Sequence, residues 1–338
     1  MRLHIEVRVW RGTVLESRHR VQAVVCRPDG RLEAATRQAD FATTFRSSAK
    51  PFQLVPLVER GHADRWELSA EELAIVAASH TGSRYHRTLV GRILERLGLS
   101  DRHLACGFHE PLDAEALEEV RAHPERRSAI YNNCSGKHAG MLCLALSEGW
   151  PLAGYERPGH PVQQLMHRAV AELCGLKVDQ VAVAIDGCSA SAFGLPLAAM
   201  ARGYARLATA GASGDPRERA LQRIRAAMAA HPVAVGGAAR FSTLLMQATG
   251  GRMLAKGGAE GLECVALPER ALGLAIKCED GQVRGIPPAA IALLDQLGVL
   301  SEAERERLGE EREPRVRNHA GIEVGRIEAV VESLARSS

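Results

Sequence analysis

Lysine and asparagine are almost missing from this sequence. Of 338 residues, 43 are basic, yet only Lys50, Lys137, Lys177, Lys256 and Lys277 are lysine. Asparagine occurs only as Asn132, Asn133 and Asn318. Arginine does the routine solvating of the surface, so each remaining lysine raises the question of what arginine could not do there. An arginine stays charged, whereas a lysine can lose its proton and become a base, a nucleophile or a metal ligand. Aromatic residues make up only 4% of the chain, and 43 basic residues stand against 40 acidic ones, a net +3. That leaves neither a stacking platform nor a basic footprint, so no nucleic-acid partner is expected. No stretch approaches 18 uncharged apolar residues, and no membrane span or membrane partner is expected. Met1 to Trp10 carries charge at alternate positions and lacks the apolar core of a signal peptide, which predicts a cytoplasmic protein. Its eight cysteines are then expected as reduced thiols, buried or bound to metal.

What is present is a globular composition, 46% hydrophobic and 25% charged, with length enough for a substantial core. Period-two alternation predicts a strand from Leu3 to Trp10, and Pro28-Asp29-Gly30 turns a hairpin between Arg20–Cys26 and Arg31–Ala35. Helical spacing follows at Pro51–Arg60, Arg87–Leu97, Ala114–Ala122, Lys137–Ser147, Pro161–Cys174 and Asp215–Ala230. Ser69 with Glu72 three residues later forms a capping box for a further helix reaching about Ala78. Strands return at Gly261–Leu267 and Ala271–Cys278, then a helix at Pro288–Leu297 and a closing strand at Gly321–Val331. The charged run Ser301–Arg317 reads as a solvated helix and loop. Strands at both ends with helices between them predict an α+β protein, one catalytic domain over 1–338. Its mixed or antiparallel sheet would come from about 1–46 and 250–338, and an inserted helical lobe from about 51–230.

Three segments carry candidate chemistry. Ser47 and Lys50 stand three apart where a strand gives way to a helix, so the amine lies on the same face as the hydroxyl. A neutral lysine can take the proton that makes a serine hydroxyl a poor nucleophile, as in the Ser-x-x-Lys acyl-transferases. Lys256 opens Lys256-Gly257-Gly258, which reads either as the cleft-lining Lys-x-Gly of that enzyme class or as a surface lysine in a glycine turn. Ser79, after the capped helix, is the candidate for a second serine, flanked by His80 and His86 as structural histidines. The third segment, Asn132-Asn133-Cys134-Ser135-Gly136-Lys137-His138, opens a helix, and Asp186-Gly187-Cys188 follows an apolar strand at Val181–Ile185. Cys134 and Cys188 are zinc ligands or two buried free thiols; the other six cysteines read as core.

Together, Arg46-Ser47-Ser48-Ala49-Lys50-Pro51, Ser79-His80, the Asn132–His138 segment, Asp186-Gly187-Cys188 and Lys256-x-Gly-Ala-Glu-Gly resemble the rhizobial-type L-asparaginases, the asparaginase II family. That resemblance runs nearly end to end and implies a fold like the serine β-lactamases and glutaminases. It implies Ser47 as nucleophile with Lys50 as base, a second pair of Ser79 with Lys256, and a zinc ion held by Cys134, Lys137 and Cys188. Spacing alone favours His138 as the nitrogen ligand. Arg46, His138 and Asp186 are implied as substrate-facing residues, and the family suggests a homodimer. Ser242 departs from the family pattern, where a cysteine is expected.

The implied activity is hydrolysis of the L-asparagine side-chain amide to aspartate and ammonia through a serine acyl-enzyme, rising toward alkaline pH. The alternatives are a glutaminase or another serine amidohydrolase of the same fold, or a zinc-stabilised amino-acid-binding protein without turnover. Lys177 and Lys277 have no assignment, and arginine at either is expected to be nearly silent.

Overall fold

The structure is a computed structural model that describes residues 1–211 and 214–334. Strands β1 (Arg2–Arg11), β2 (Val14–Cys26), β3 (Leu32–Ala35) and β4 (Ala42–Thr44) open the chain. A 3-10 turn over Arg46–Ala49 leads into α1 (Lys50–Glu59), α2 (His62–Arg65), α3 (Ala70–Val76), α4 (Arg84–Arg96), α5 (Ala114–Ala122), α6 (Ser135–Ser147) and α7 (Pro161–Leu173). Then come β5 (Ala182–Ile185), β6 (Ser191–Pro196), α8 (Leu197–Thr209), α9 (Pro216–Ala230), α10 (Pro232–Gly236) and α11 (Phe241–Ala248). The chain finishes with β7 (Leu254–Gly258), β8 (Leu262–Leu267), β9 (Leu272–Cys278), α12 (Ile286–Gln296), α13 (Glu302–Arg307), α14 (Gly309–Arg312), β10 (Arg315–Arg317) and β11 (Glu323–Leu334).

The chain divides into two compact units. The first, residues 1–43, 195–209 and 244–338, holds an eight-stranded mixed sheet in the order β10-β11-β1-β3-β2-β9-β8-β7. β1 pairs antiparallel with β11 along its length, Arg2 opposite Leu334 and Arg11 opposite Gly325. Leu3, Ile5, Val7 and Val9 are buried on one face of β1, as their alternation requires. Sequence reading places β1, β3, β5, β8, β9, β11 and the end of β2 but not β4, β6 or β10, and the sheet does draw on both chain ends. It missed the hairpin between β1 and β2, which extends β2 back to Val14.

One expected boundary moves. Residues 195–209 fall within the expected helical lobe, but α8 belongs to the sheet unit. The reason is close packing: α8 lies on β9, and a Cβ on Gly273 would sit 2.1 Å from the Ala201 carbonyl oxygen. Only glycine allows that approach.

The second unit, residues 44–194 and 210–243, is mainly helical, with β5 and β6 paired antiparallel. α1 is its buried centre: every residue from Lys50 to Val58 is buried. α7, α9 and α6 surround α1, while α3 packs on α9 and α6. The expected capping box is present, Ser69 Oγ accepting from Glu72 N–H and Glu72 accepting from Ser69 N–H. No helix among the described residues is long and apolar enough to cross a membrane.

Candidate active site

Two glycines on α6 set the site's spacing. A Cβ on Gly136 would lie 2.1 Å from the Ile75 carbonyl oxygen, and one on Gly140 would lie 2.4 Å from Val76 Cγ1. Any larger residue would push α6 off α3. This contact brings Cys134, at the start of α6, beside Ala78 and Ser79, which follow the end of α3. Lys50 reaches the same point from the first turn of α1.

Lys50 is 1% exposed, and its amine donates to the Ala78 carbonyl, to Ser79 Oγ at 3.1 Å and to Cys134 Sγ at 3.2 Å. The Lys137 amine donates to Cys188 Sγ at 3.0 Å, and the Cys188 and Cys134 sulfurs are themselves hydrogen-bonded. Four ionisable groups therefore share one buried site, none more than 5% exposed. Burial lowers the proton affinity of Lys50 below that of a free lysine, although the Cys134 sulfur pulls the other way. The hydrogen bond from Cys188, together with the charges of Lys50 and Lys137, holds Cys134 well below an ordinary thiol. Cys188, which donates that bond, is pushed up. Burial opposes the charge on Lys137, but the Cys134 and Cys188 sulfurs more than offset it and keep the amine protonated.

Asp186 heads the loop that carries Cys188. Its N–H donates to the Ala190 carbonyl, Ser189 N–H returns to the Asp186 carbonyl, and Gly187 N–H meets Asp186 Oδ1 at 2.8 Å. Ser189 holds φ at +71° to close this loop. Arg46, at φ +45°, approaches Asp186 Oδ1 with its Nε at 3.1 Å. A left-handed conformation costs a non-glycine residue about 1–2 kcal/mol, and here it occurs on both sides of one ion pair. Such strain concentrates where function fixes a side chain.

Ser47 sits in the 3-10 turn, partly exposed, its carbonyl accepting from Lys50 N–H. Among the described residues, no hydrogen bond joins its side chain to the Lys50 amine, which turns to Ser79 instead. His80 is fully buried on Ser135 Oγ and stacks on His86 at 5.1 Å, a structural arrangement. His138 is also fully buried, with Nδ1 2.7 Å from the Tyr155 hydroxyl. Sequence reading missed Tyr155 entirely. Ser242 is buried near the start of α11.

Lys256 belongs to the sheet unit. It is 3% exposed on β7, so it is no surface lysine in a turn, and its amine donates to the Gly257 carbonyl at 2.8 Å. Lys277 corrects another expectation: it is 5% exposed and its amine donates to the Cys278 carbonyl. An arginine has no room to be silent there. All eight cysteines are buried.

Two clusters have metal-ligand chemistry. Cys134, Lys137 and Cys188 offer two sulfurs and one amine, Cys188 being hydrogen-bonded to both of the others, a donor set that suits tetrahedral zinc once the amine gives up its proton. Lys137, the nitrogen bonded to Cys188, fits this set better than the Nδ1 of His138. In the sheet unit, His19, Cys278 and Asp280 also lie close together. Here Arg284 Nε donates to His19 Nε2 at 3.0 Å, which leaves the proton on Nδ1, pointed at Asp280 Oδ2 at 2.6 Å. The ring's nitrogens are both spent, and Cys278 donates to Asp280 Oδ1 at 2.9 Å. This second cluster is a closed hydrogen-bond chain rather than a ligand set.

Comparison with known proteins places the chain. Mglu in its glutamate form is similar at 18% identity over 82% of this chain and 61% of that chain, with a TM-score of 0.36. A β-lactamase from Mycobacterium bovis is similar at 15% identity over 82% of this chain and 94% of that chain, with a TM-score of 0.40. The chain thus spans about three fifths of the length of Mglu. No curated protein matches it. The family described as L-asparaginase II matches residues 7–329, a span that takes in every segment of the site, and the chain belongs to that family.

Proposed function

We propose that this hydrolase of the L-asparaginase II family converts L-asparagine to aspartate and ammonia through a serine acyl-enzyme. The observation that carries the reading is Lys50: a buried amine of lowered proton affinity, bonded to one serine hydroxyl and one helical turn from another. Neutral Lys50 takes the proton of Ser47, whose oxygen attacks the side-chain amide carbon. The amide nitrogen gains a proton and leaves as ammonia, and water then hydrolyses the ester. Ser79 and Lys256 are the other proposed catalytic residues in this reading. Arg46, Asp186 and His138 hold the substrate's charged and polar groups.

Cys134, Lys137 and Cys188 would hold zinc, a positive charge that orients the substrate and keeps neighbouring amines neutral. The acting chain is a cytoplasmic homodimer in this reading; Val183 and Ile185 on β5, 41% and 62% exposed, are apolar surface that a second copy would cover. A second assignment rests on the 3.1 Å contact between Lys50 and Ser79, which makes Ser79 the hydroxyl nearest the base.

Ammonia release from L-asparagine and L-glutamine by the parent, Ser47→Ala and Ser79→Ala tests these readings together. The proposal expects turnover of asparagine, loss in Ser47→Ala, and a smaller deficit in Ser79→Ala. Preference for glutamine moves the protein to the glutaminases. No release from either amide, with binding retained, leaves an amino-acid-binding protein.

A further inference from the structure

Tyr155 and His138 are buried together, 1% and 0% exposed, and their hydrogen bonds can be counted. The Tyr155 oxygen already accepts from Ala105 N–H at 2.8 Å. Its hydroxyl proton has one acceptor among the described residues, His138 Nδ1 at 2.7 Å. The rings meet edge to face, with centroids 5.4 Å apart, so the geometry is held by packing as well. His138 Nε2 is buried and has no hydrogen-bond partner among the described residues.

Three protonation patterns are available to this pair. If Tyr155 donates to Nδ1, the proton of the ring sits on Nε2, and that N–H is the one group left unsatisfied. If Nδ1–H donates to Tyr155, the tyrosine proton and the Nε2 lone pair are both stranded. A doubly protonated ring strands the tyrosine proton and Nε2–H. The first pattern leaves one buried polar group unpaired, the others two. Each such group in a dry interior shifts a population by about tenfold or more.

We propose that Tyr155 is a positioning residue that fixes His138 in the Nε2–H form, so that His138 offers the substrate an N–H donor and gives a metal no lone pair. The group that completes the pattern is an oxygen acceptor of the bound amino acid, a carboxylate or amide oxygen. This deepens the amidohydrolase reading and rests on it for the identity of the ligand, but the tautomer itself does not depend on turnover. It also assigns the nitrogen at a zinc site to Lys137.

The test is nitrogen-15 NMR of the histidine-labelled full chain, with the His138 signals identified by their loss in His138→Gln. In the parent, Nδ1 should show the shift of an unprotonated ring nitrogen and Nε2 that of a protonated one. Tyr155→Phe, which keeps the ring and removes the hydroxyl, should turn this into a tautomer mixture. L-aspartate should move the Nε2–H proton downfield in the parent, and Tyr155→Phe should raise KM for L-asparagine about tenfold with a smaller change in kcat. A proton on Nδ1 in the parent overturns the proposal, whether or not the protein turns over asparagine. So does loss of the Nε2 proton when zinc is bound at one ion per chain, since His138 would then be a ligand. If Tyr155→Phe does not fold, the parent's spectra without and with zinc still decide.

Discussion

The chain has two clusters in which a buried thiol meets charged groups, and they behave as opposites. In the sheet unit, Cys278, Asp280, His19 and Arg284 form a closed chain in which each donor finds an acceptor and the cation faces a carboxylate through the ring. Asp280, exposed to solvent, is held at about 2: desolvation opposes its charge, but the hydrogen bonds from Cys278 and His19 prevail. In the helical unit, Lys50 and Lys137 meet two cysteines and a serine. Their protons are distributed among groups that all disagree with their ordinary affinities. The first arrangement spends its hydrogen bonds on holding loops together. The second leaves amines and sulfurs with shifted proton affinities, the kind of setting in which perturbed groups mark chemistry.

The difference can be broken most sharply at the lysines. Lys50→Met should lower kcat/KM for L-asparagine by about a thousandfold, the scale of a lost general base. Lys277→Met, at a buried lysine whose amine donates to the Cys278 carbonyl, should leave kcat/KM within about twofold while changing the thermal midpoint. Steady-state kinetics beside a melting curve checks both, and equal losses would erase the contrast.

Metal content sharpens it next. Cys188→Ser should cut zinc affinity by about 10–100-fold or more, and zinc binding by the parent should weaken on acidification as Lys137 and the two thiols keep their protons. Cys278→Ser should leave the bound zinc per chain unchanged. Dialysis against a chelator followed by metal analysis measures this.

A smaller effect concerns pH. Neutral Lys50 is the active form, so activity should rise with pH through its lowered pKa. The Cys134 sulfur favours the ammonium form, so Cys134→Ala should shift that rising limb to lower pH, compared in chelator to keep metal out of both proteins. A limb that stays in place separates the sulfur from the base.

The smallest expected change is at a surface network. Glu148 is held at about 2, first by its hydrogen bond from Arg60 and then by His62. Its folded pKa is depressed, so it stabilises the protein above the ordinary glutamate value of about 4.3, and that contribution is lost as pH falls toward 2. Glu148→Gln should cost about 1 kcal/mol at neutral pH and flatten part of the acid-side decline, read by urea melts at several pH values.

Much of the fold was legible because it is written locally. Alternation marks β1, the Ser69–Glu72 box marks α3, and α5 runs over the expected Ala114–Ala122. The placement of α8 was not, because it depends on the contact between Gly273 and Ala201, more than seventy residues apart. In the site, residue types singled out Lys50, Ser79, Cys134, Lys137 and Cys188, and these five side chains do lie together. What spacing could not show is which hydroxyl the amine meets. Ser47 is three residues away in sequence, yet the fold brings Ser79 to Lys50. Tyr155 gave no signal, since a single tyrosine seventeen residues from His138 has no pattern to be found by. The burial of Lys277 was equally silent, for a charged residue at a strand end ordinarily faces water.

The central claim is that a lysine-activated serine carries an acyl group, with Ser47 as its bearer. The direct measurement is intact-protein and peptide mass spectrometry after acid quench of the enzyme turning over L-asparagine, with Ser47→Ala in parallel. The account predicts an aspartyl adduct on the peptide carrying Ser47 and ammonia release reduced by roughly 10⁴-fold or more in the variant. Parental ammonia release by Ser47→Ala, or an adduct found on the Ser79 peptide instead, would contradict it.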